Sequence, residues 1–138
     1  MAEILVAEDN PADVYLIREA LRENGVDCSF RVACDGKEVL KILAGELPGA
    51  EELKLIILDL NLPCHDGLEI LEHIRSSGFP HIPVVVLTSS DFLRDRQRAI
   101  ELGAERFLRK PSGLEEFLSL GAIFKEFLSD SQSASESA

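Results

Sequence analysis

Short apolar runs, each stopped by polar groups, recur along the chain. Ile4-Leu5-Val6-Ala7 stops at Glu8-Asp9, and Leu55-Ile56-Ile57-Leu58 stops at Asp59. Val84-Val85-Val86-Leu87 stops at Thr88, and Phe107-Leu108-Arg109 stops at Lys110-Pro111. Runs this short, bounded by turn signals, have the pattern of strands buried on both faces, as in a parallel sheet. Helix signals fill the gaps between them. Asn10 is a cap residue before Pro11, with Asp13 in the first turn, and predicts a helix to about Asn24 that Gly25 ends. Asp35-Gly36-Lys37-Glu38, Asp66-Gly67-Leu68-Glu69 and Ser112-Gly113-Leu114-Glu115 each place Glu three residues after a cap, opening three more helices. A further helix is expected from near Ser90-Asp91 to Gly103. Strand and helix therefore alternate five times, which predicts an α/β, doubly wound (βα)5 fold with a parallel sheet covered on both faces.

In an open parallel sheet, ligands bind beyond the carboxyl ends of the strands. The polar groups that stop the apolar runs should therefore converge, although they are far apart in sequence. Three carboxylates (Glu8, Asp9, Asp59), a hydroxyl (Thr88) and an ammonium (Lys110) make a site for a divalent cation and a phosphoryl group. Hard oxygen donors suit Mg²⁺ or Mn²⁺. Two carboxylates about 4 Å apart repel by roughly 4 kcal/mol at an effective dielectric near 20, so the cluster is strained without a cation, and at least one pKa should rise. Simpler roles compete for each residue: a helix-capping acidic pair for Glu8-Asp9, a turn-capping aspartate for Asp59, a surface lysine for Lys110, and a helix cap for Thr88 or the following Ser89-Ser90.

In this order and at these strand ends, the motifs resemble those of a response-regulator receiver domain, the phosphoacceptor half of a two-component system. The likeness runs from about Glu3 to about Phe127, and Asp59-Leu60-Asn61-Leu62-Pro63-Cys64-His65-Asp66-Gly67 is especially similar to the family pattern. Glu8-Asp9-Asn10-Pro11-Ala12-Asp13 together with Asp59-Leu60-Asn61-Leu62-Pro63 resembles the stand-alone receivers that serve phytochrome-type kinases. The resemblance implies a flavodoxin-like five-stranded sheet in the order 2-1-3-4-5. It implies Asp59 as phosphoacceptor, with Glu8, Asp9, Asp59 and the Asn61 backbone carbonyl around Mg²⁺. Thr88 and Lys110 would bind the phosphoryl group, Lys110 and Pro111 would be joined by a cis peptide, and Phe107 would occupy the switch-aromatic position. Many relatives carry two aspartates where Glu8-Asp9 stand, and Tyr where Phe107 stands. The implied function is a single-domain response regulator that takes a phosphoryl group from a sensor histidine kinase. It would signal through the surface of its fourth helix, fifth strand and fifth helix. Such a protein catalyses only its own phosphorylation and dephosphorylation and is not otherwise an enzyme.

Composition narrows the partners. At 138 residues with 46% hydrophobic residues, the chain has room for one packed domain and not for two. The net charge of −11 argues against nucleic acid. No apolar run is long enough to span a membrane and no secretory signal opens the chain, so a cytoplasmic location is expected. Cys28, Cys34 and Cys64 show no ligand or disulfide pattern, and His65, His73 and His81 have no metal-ligand spacing. Residues 1–128 read as the receiver domain and the Ser-rich 129–138 as a disordered tail with no output domain after it. Leu114, Phe117, Leu118, Leu120, Ile123, Phe124, Phe127 and Leu128 cover more of the last helix than a core-facing stripe needs. That surplus suggests a partner or a homodimer through this region, as in phytochrome-linked relatives, against one broad stripe wrapped by neighbouring loops. Rival functions are a phosphohydrolase with an Asp nucleophile, an interaction module that no longer takes phosphate, and a flavin or nucleotide binder. The first lacks the second Asp that serves as general acid, since Asn61 stands there, and the last lacks a Gly-rich phosphate loop.

Overall fold

The computed structural model describes residues 3–26, 29–46, 53–64, 66–76, 82–89 and 93–137, with side chains from 4 to 128 in those ranges. Strands β1 (Glu3–Ala7), β2 (Ser29–Ala33), β3 (Leu53–Leu58), β4 (Val84–Thr88) and β5 (Arg106–Arg109) alternate with helices α1 (Pro11–Glu23), α2 (Gly36–Leu43), α3 (Gly67–Ser76), α4 (Leu93–Glu101) and α5 (Leu114–Ser137). All neighbouring strands are parallel and the order is β2-β1-β3-β4-β5. This is the doubly wound flavodoxin-like sheet expected above.

Alternation along the central strands divides the core in two. Leu5, Ala7, Ile56, Leu58, Val84 and Val86 pack against α2, α3 and α4 through Val39, Ile42, Ile70, Leu71, Ile74 and Ala99. Ile4, Val6, Leu55, Ile57, Val85 and Leu87 face the other way, onto Ile17 and Leu21 of α1 and Phe117, Phe124 and Leu128 of α5. Strands covered on both faces need apolar residues at every position, which is why their sequences read as unbroken runs.

The caps behave as their residues suggest. Asn10 Oδ1 accepts from the Ala12 amide at 2.9 Å, and Asp35 Oδ1 accepts from the Glu38 amide at 2.8 Å. Asp66 Oδ1 accepts from the Leu68 amide at 2.9 Å. Beyond α1 and α4, Gly25 and Gly103 take positive φ, 74° and 97°. The Ser90 cap, Cys28, His65 and His81 lie outside the described residues; His73 is exposed on α3. Cys34 and Cys64 are exposed free thiols.

Three expectations are met differently. α5 continues to Ser137, over the segment read as a disordered tail; after Gly121 no Gly or Pro intervenes to stop it. Among the described residues no peptide bond is cis, so Lys110–Pro111 is trans, the isomer that an X–Pro bond favours by roughly 0.5–1 kcal/mol. The apolar circumference of α5 has two internal partners, the sheet and α1. Phe117, Leu120, Phe124 and Leu128 are buried, Ile123 and Phe127 are half-buried against the same cluster, and Leu114 is exposed. Among the described residues, no helix is long and apolar enough to cross a membrane.

Candidate functional site

The polar residues that stop the strands are set side by side by the sheet. The ladder extends one step past β1 and β3, with the Glu8 amide donating to Ala33 O and the Asp59 amide to Ala7 O, each at 3.0 Å. On the other side, the Lys110 amide donates to Thr88 O at 2.8 Å. Glu8, Asp59, Thr88 and Lys110 thus share the carboxyl edge of the sheet. Glu8, Asp59 and Thr88 are almost wholly buried, at 2%, 4% and 0% exposure.

The Lys110 ammonium sits at the centre. Its Nζ lies 2.7 Å from Glu8 Oε1, 2.8 Å from Asp13 Oδ2 and 2.9 Å from Asp59 Oδ2. An ammonium has three N–H donors, and three carboxylates take them. The second oxygens of Glu8 and Asp59 are held by the backbone: Asn10 N–H donates to Glu8 Oε2 at 3.1 Å, and Asn61 N–H donates to Asp59 Oδ1 at 3.0 Å. The Asn61 side chain turns towards β4 and donates from Nδ2 to Thr88 Oγ1 at 3.2 Å.

Electrostatics follow from burial and from this crowding. Burial pushes the Glu8 carboxyl up to about 7, with the Asp59 charge adding to it, against the lowering effect of the Lys110 and Asn10 hydrogen bonds. For Lys110, burial disfavours the charge, but hydrogen bonds to Asp13, Glu8 and Asp59 outweigh it and hold the ammonium above its ordinary value. Glu8, Asp9 and Asp59 each offer a carboxylate oxygen, and those oxygens lie within 4.8 Å of one another. Two of the three are buried and Asp9 is exposed, an all-oxygen set open on one side. Hard donors so arranged fit Mg²⁺ or Mn²⁺, which keep several waters.

Glu8, Asp9, Asp59, Asn61, Thr88 and Lys110 are therefore brought together. Phe107 is not part of this polar group; it is half-buried on β5 and packs on the core beneath α2, α3 and α4. Asp13 is the addition. Its sequence signal, an acidic residue in the first turn of α1, is the same as that of any dipole-complementing carboxylate, and only the turn's position above the strand ends distinguishes it.

Comparison with known proteins identifies the family. A family model described as the response regulator receiver domain matches residues 4–120. The response regulator MprA of Mycolicibacterium vanbaalenii is 37% identical over 116 residues, 84% of this chain and 47% of MprA, so the chain spans about half the length of the curated relatives it matches. Among solved structures, the phosphorylated cyanobacterial phytochrome response regulator RcpA is 33% identical with a TM-score of 0.81, covering 91% of each chain. The Mn²⁺-bound form of response regulator Rcp1 is 32% identical with a TM-score of 0.79, covering 91% of this chain and 93% of that one. On sequence, fold and strand-end chemistry together, the chain belongs to the response-regulator receiver family.

Proposed function

We propose that this receiver accepts a phosphoryl group on Asp59 from the phosphohistidine of a sensor kinase, in a reaction that requires Mg²⁺ or Mn²⁺. The observation that carries the reading is the ammonium of Lys110 held 2.9 Å from Asp59 Oδ2, beside the Glu8, Asp9 and Asp59 oxygen cluster. A carboxylate is a poor nucleophile towards an anionic donor until charge around it is neutralised. Glu8, Asp9, Asp59 and the Asn61 carbonyl would hold the cation, which would supply that neutralisation. Lys110 complements it by following a phosphoryl oxygen as a compact charge. An oxygen of Asp59 attacks phosphorus in line, the O–P bond forms, and the P–N bond to the kinase histidine breaks. Water later cleaves the acyl phosphate and regenerates Asp59, so the chain catalyses only its own modification and its removal.

The Asn61–Thr88 contact supports a specific first step of signalling. If Thr88 turns its hydroxyl to a phosphoryl oxygen, the 3.2 Å bond from Asn61 Nδ2 is broken. The two side chains then part, and Thr88 moves towards the phosphoryl group. Phe107 follows Thr88, and the surface of α4, β5 and α5 changes. Phosphorylation adds about −1.5 to −2 of charge, enough to bias such a two-state element. The likeness to RcpA supports a phytochrome-type kinase as partner, and the reading carries with it a cytoplasmic location.

Incubation with Mg²⁺ and acetyl phosphate tests the reaction by intact mass. The expected result is a gain of one phosphoryl group that needs Mg²⁺ and disappears in Asp59→Asn. A gain that survives Asp59→Asn would move the acceptor elsewhere. A homodimer through the α5 region would be built on what α5 leaves outside, chiefly Leu114 at 61% exposure. Sedimentation velocity at high concentration, with and without beryllofluoride, tests it; a single monomer boundary in both would end that reading.

A further inference from the structure

Asp13 makes a contact that neither the cation cluster nor the reacting carboxylate explains. It stands in the first turn of α1, and its Oδ2 lies 2.8 Å from Lys110 Nζ, which is 97 residues away in sequence. The two side chains are 18% and 12% exposed, so water competes little for either. α1 is fixed at this end by Asn10, whose side chain accepts from Ala12 N–H and whose carbonyl accepts from Val14 N–H at 3.1 Å. Asp13 therefore projects from a rigid turn. Lys110, by contrast, carries its charge on a flexible four-carbon stem, anchored at its backbone by the hydrogen bond that its N–H donates to Thr88 O.

The three partners of Lys110 differ in what the reaction asks of them. Glu8 and Asp59 belong to the oxygen cluster, and Asp59 is also the nucleophile in the function proposed above, on which this inference rests. Both must redirect their oxygens when cation and phosphoryl group arrive. Asp13 belongs to neither set and is free to keep its bond throughout. We propose that Asp13 is a positioning residue for phosphoryl transfer, tethering the Lys110 ammonium beside Asp59 while the other two carboxylates change partners. A carboxylate is required for the role: it must accept from an ammonium at a fixed distance, and its charge keeps the stem from folding out to solvent.

Phosphorylation rates of the full chain with acetyl phosphate at saturating Mg²⁺ test this in wild type, Asp13→Ala, Asp13→Glu, Lys110→Ala and the Asp13→Ala/Lys110→Ala pair. A slipped catalytic group costs up to about a hundredfold in rate, so Asp13→Ala is expected to be slower by about tenfold or more. Asp13→Glu should recover much of that rate, and Asp13→Ala should cost nothing further once Lys110 is gone, the non-additivity of residues acting as one unit. Mn²⁺ affinity, measured separately by its paramagnetic resonance, should change much less than the rate. An Asp13→Ala rate equal to wild type overturns the proposal. An equal loss in the Lys110→Ala background does so too, because the effect would not pass through Lys110, and so does a rate loss that the Mn²⁺ affinity fully explains. A second readout separates this inference from the phosphoacceptor reading. The Lys110 side-chain ¹⁵N resonance is expected to shift and broaden in Asp13→Ala without any phosphodonor; an unchanged resonance overturns the tether. Absence of phosphorylation in wild type, with the resonance shifted, overturns the phosphoacceptor reading and with it the catalytic purpose assigned to Asp13.

Discussion

Glu8 carries the main electrostatic conflict of the site. Burial raises its carboxyl to about 7 even with Lys110 at 2.7 Å. Its folded pKa exceeds the unfolded value of 4.5, so the folded state binds more protons between those two values. Stability is therefore expected to fall as pH rises from 4.5 to 7, with the full cost present above 7. The size is on the order of 3–4 kcal/mol, since each tenfold change in proton affinity corresponds to about 1.4 kcal/mol. Urea unfolding at pH 5 and pH 8 without divalent cation should show this slope in wild type and a flatter one in Glu8→Gln; equal slopes would remove Glu8 as its source. Cation affinity should also weaken below pH 7, because a protonated Glu8 must release its proton to bind. Glu8, Asp59, Thr88 and Lys110 were legible in the sequence because each ends an apolar run, and the sheet turns strand ends into neighbours. Asp13 was not, because a first-turn acid looks the same whether it complements a helix dipole or reaches a lysine 97 residues away.

Helices show the same division between local and distant causes. The caps at Asn10, Asp35 and Asp66 were readable because a cap depends on residues two or three positions apart. The surplus apolar width of α5 was also visible, but its cause was not, since which helix packs beside which is decided by the sheet. α5 lies so close to α1 that a Cβ on Gly121 would clash with the backbone carbonyl of Ala20. That approach is what lets one helix bury residues on two sides. Gly121→Ala raises intrinsic helix propensity, worth roughly 1 kcal/mol in a free helix, yet here it must push two backbones apart. A net destabilisation of about 1–3 kcal/mol is expected from urea titration; stabilisation would show that α1 and α5 are not in such close contact. The helical course of α5 to Ser137 was missed because serine-rich composition signals disorder while carrying no Gly or Pro stop.

At the scale of the whole molecule, alternation of strand and helix predicts a doubly wound sheet, but not the order of its strands. That order came with the family resemblance, and the observed β2-β1-β3-β4-β5 arrangement agrees with it. The order matters to function. With β1 and β3 adjacent, and β4 and β5 following, the acidic residues fall beside the phosphoacceptor candidate and the hydroxyl and ammonium close the far side. The two core layers support this edge from both faces, and Lys110 reaches across it on a four-carbon stem. The most direct measurement of the central claim is chemical trapping of the modified carboxylate. After incubation with Mg²⁺ and acetyl phosphate, borohydride reduces an aspartyl phosphate to homoserine, and peptide mass spectrometry locates it. We expect homoserine at position 59 alone, dependent on Mg²⁺; homoserine at another aspartate, or phosphate that resists borohydride and stays on a hydroxyl or imidazole, would contradict Asp59 as the phosphoacceptor.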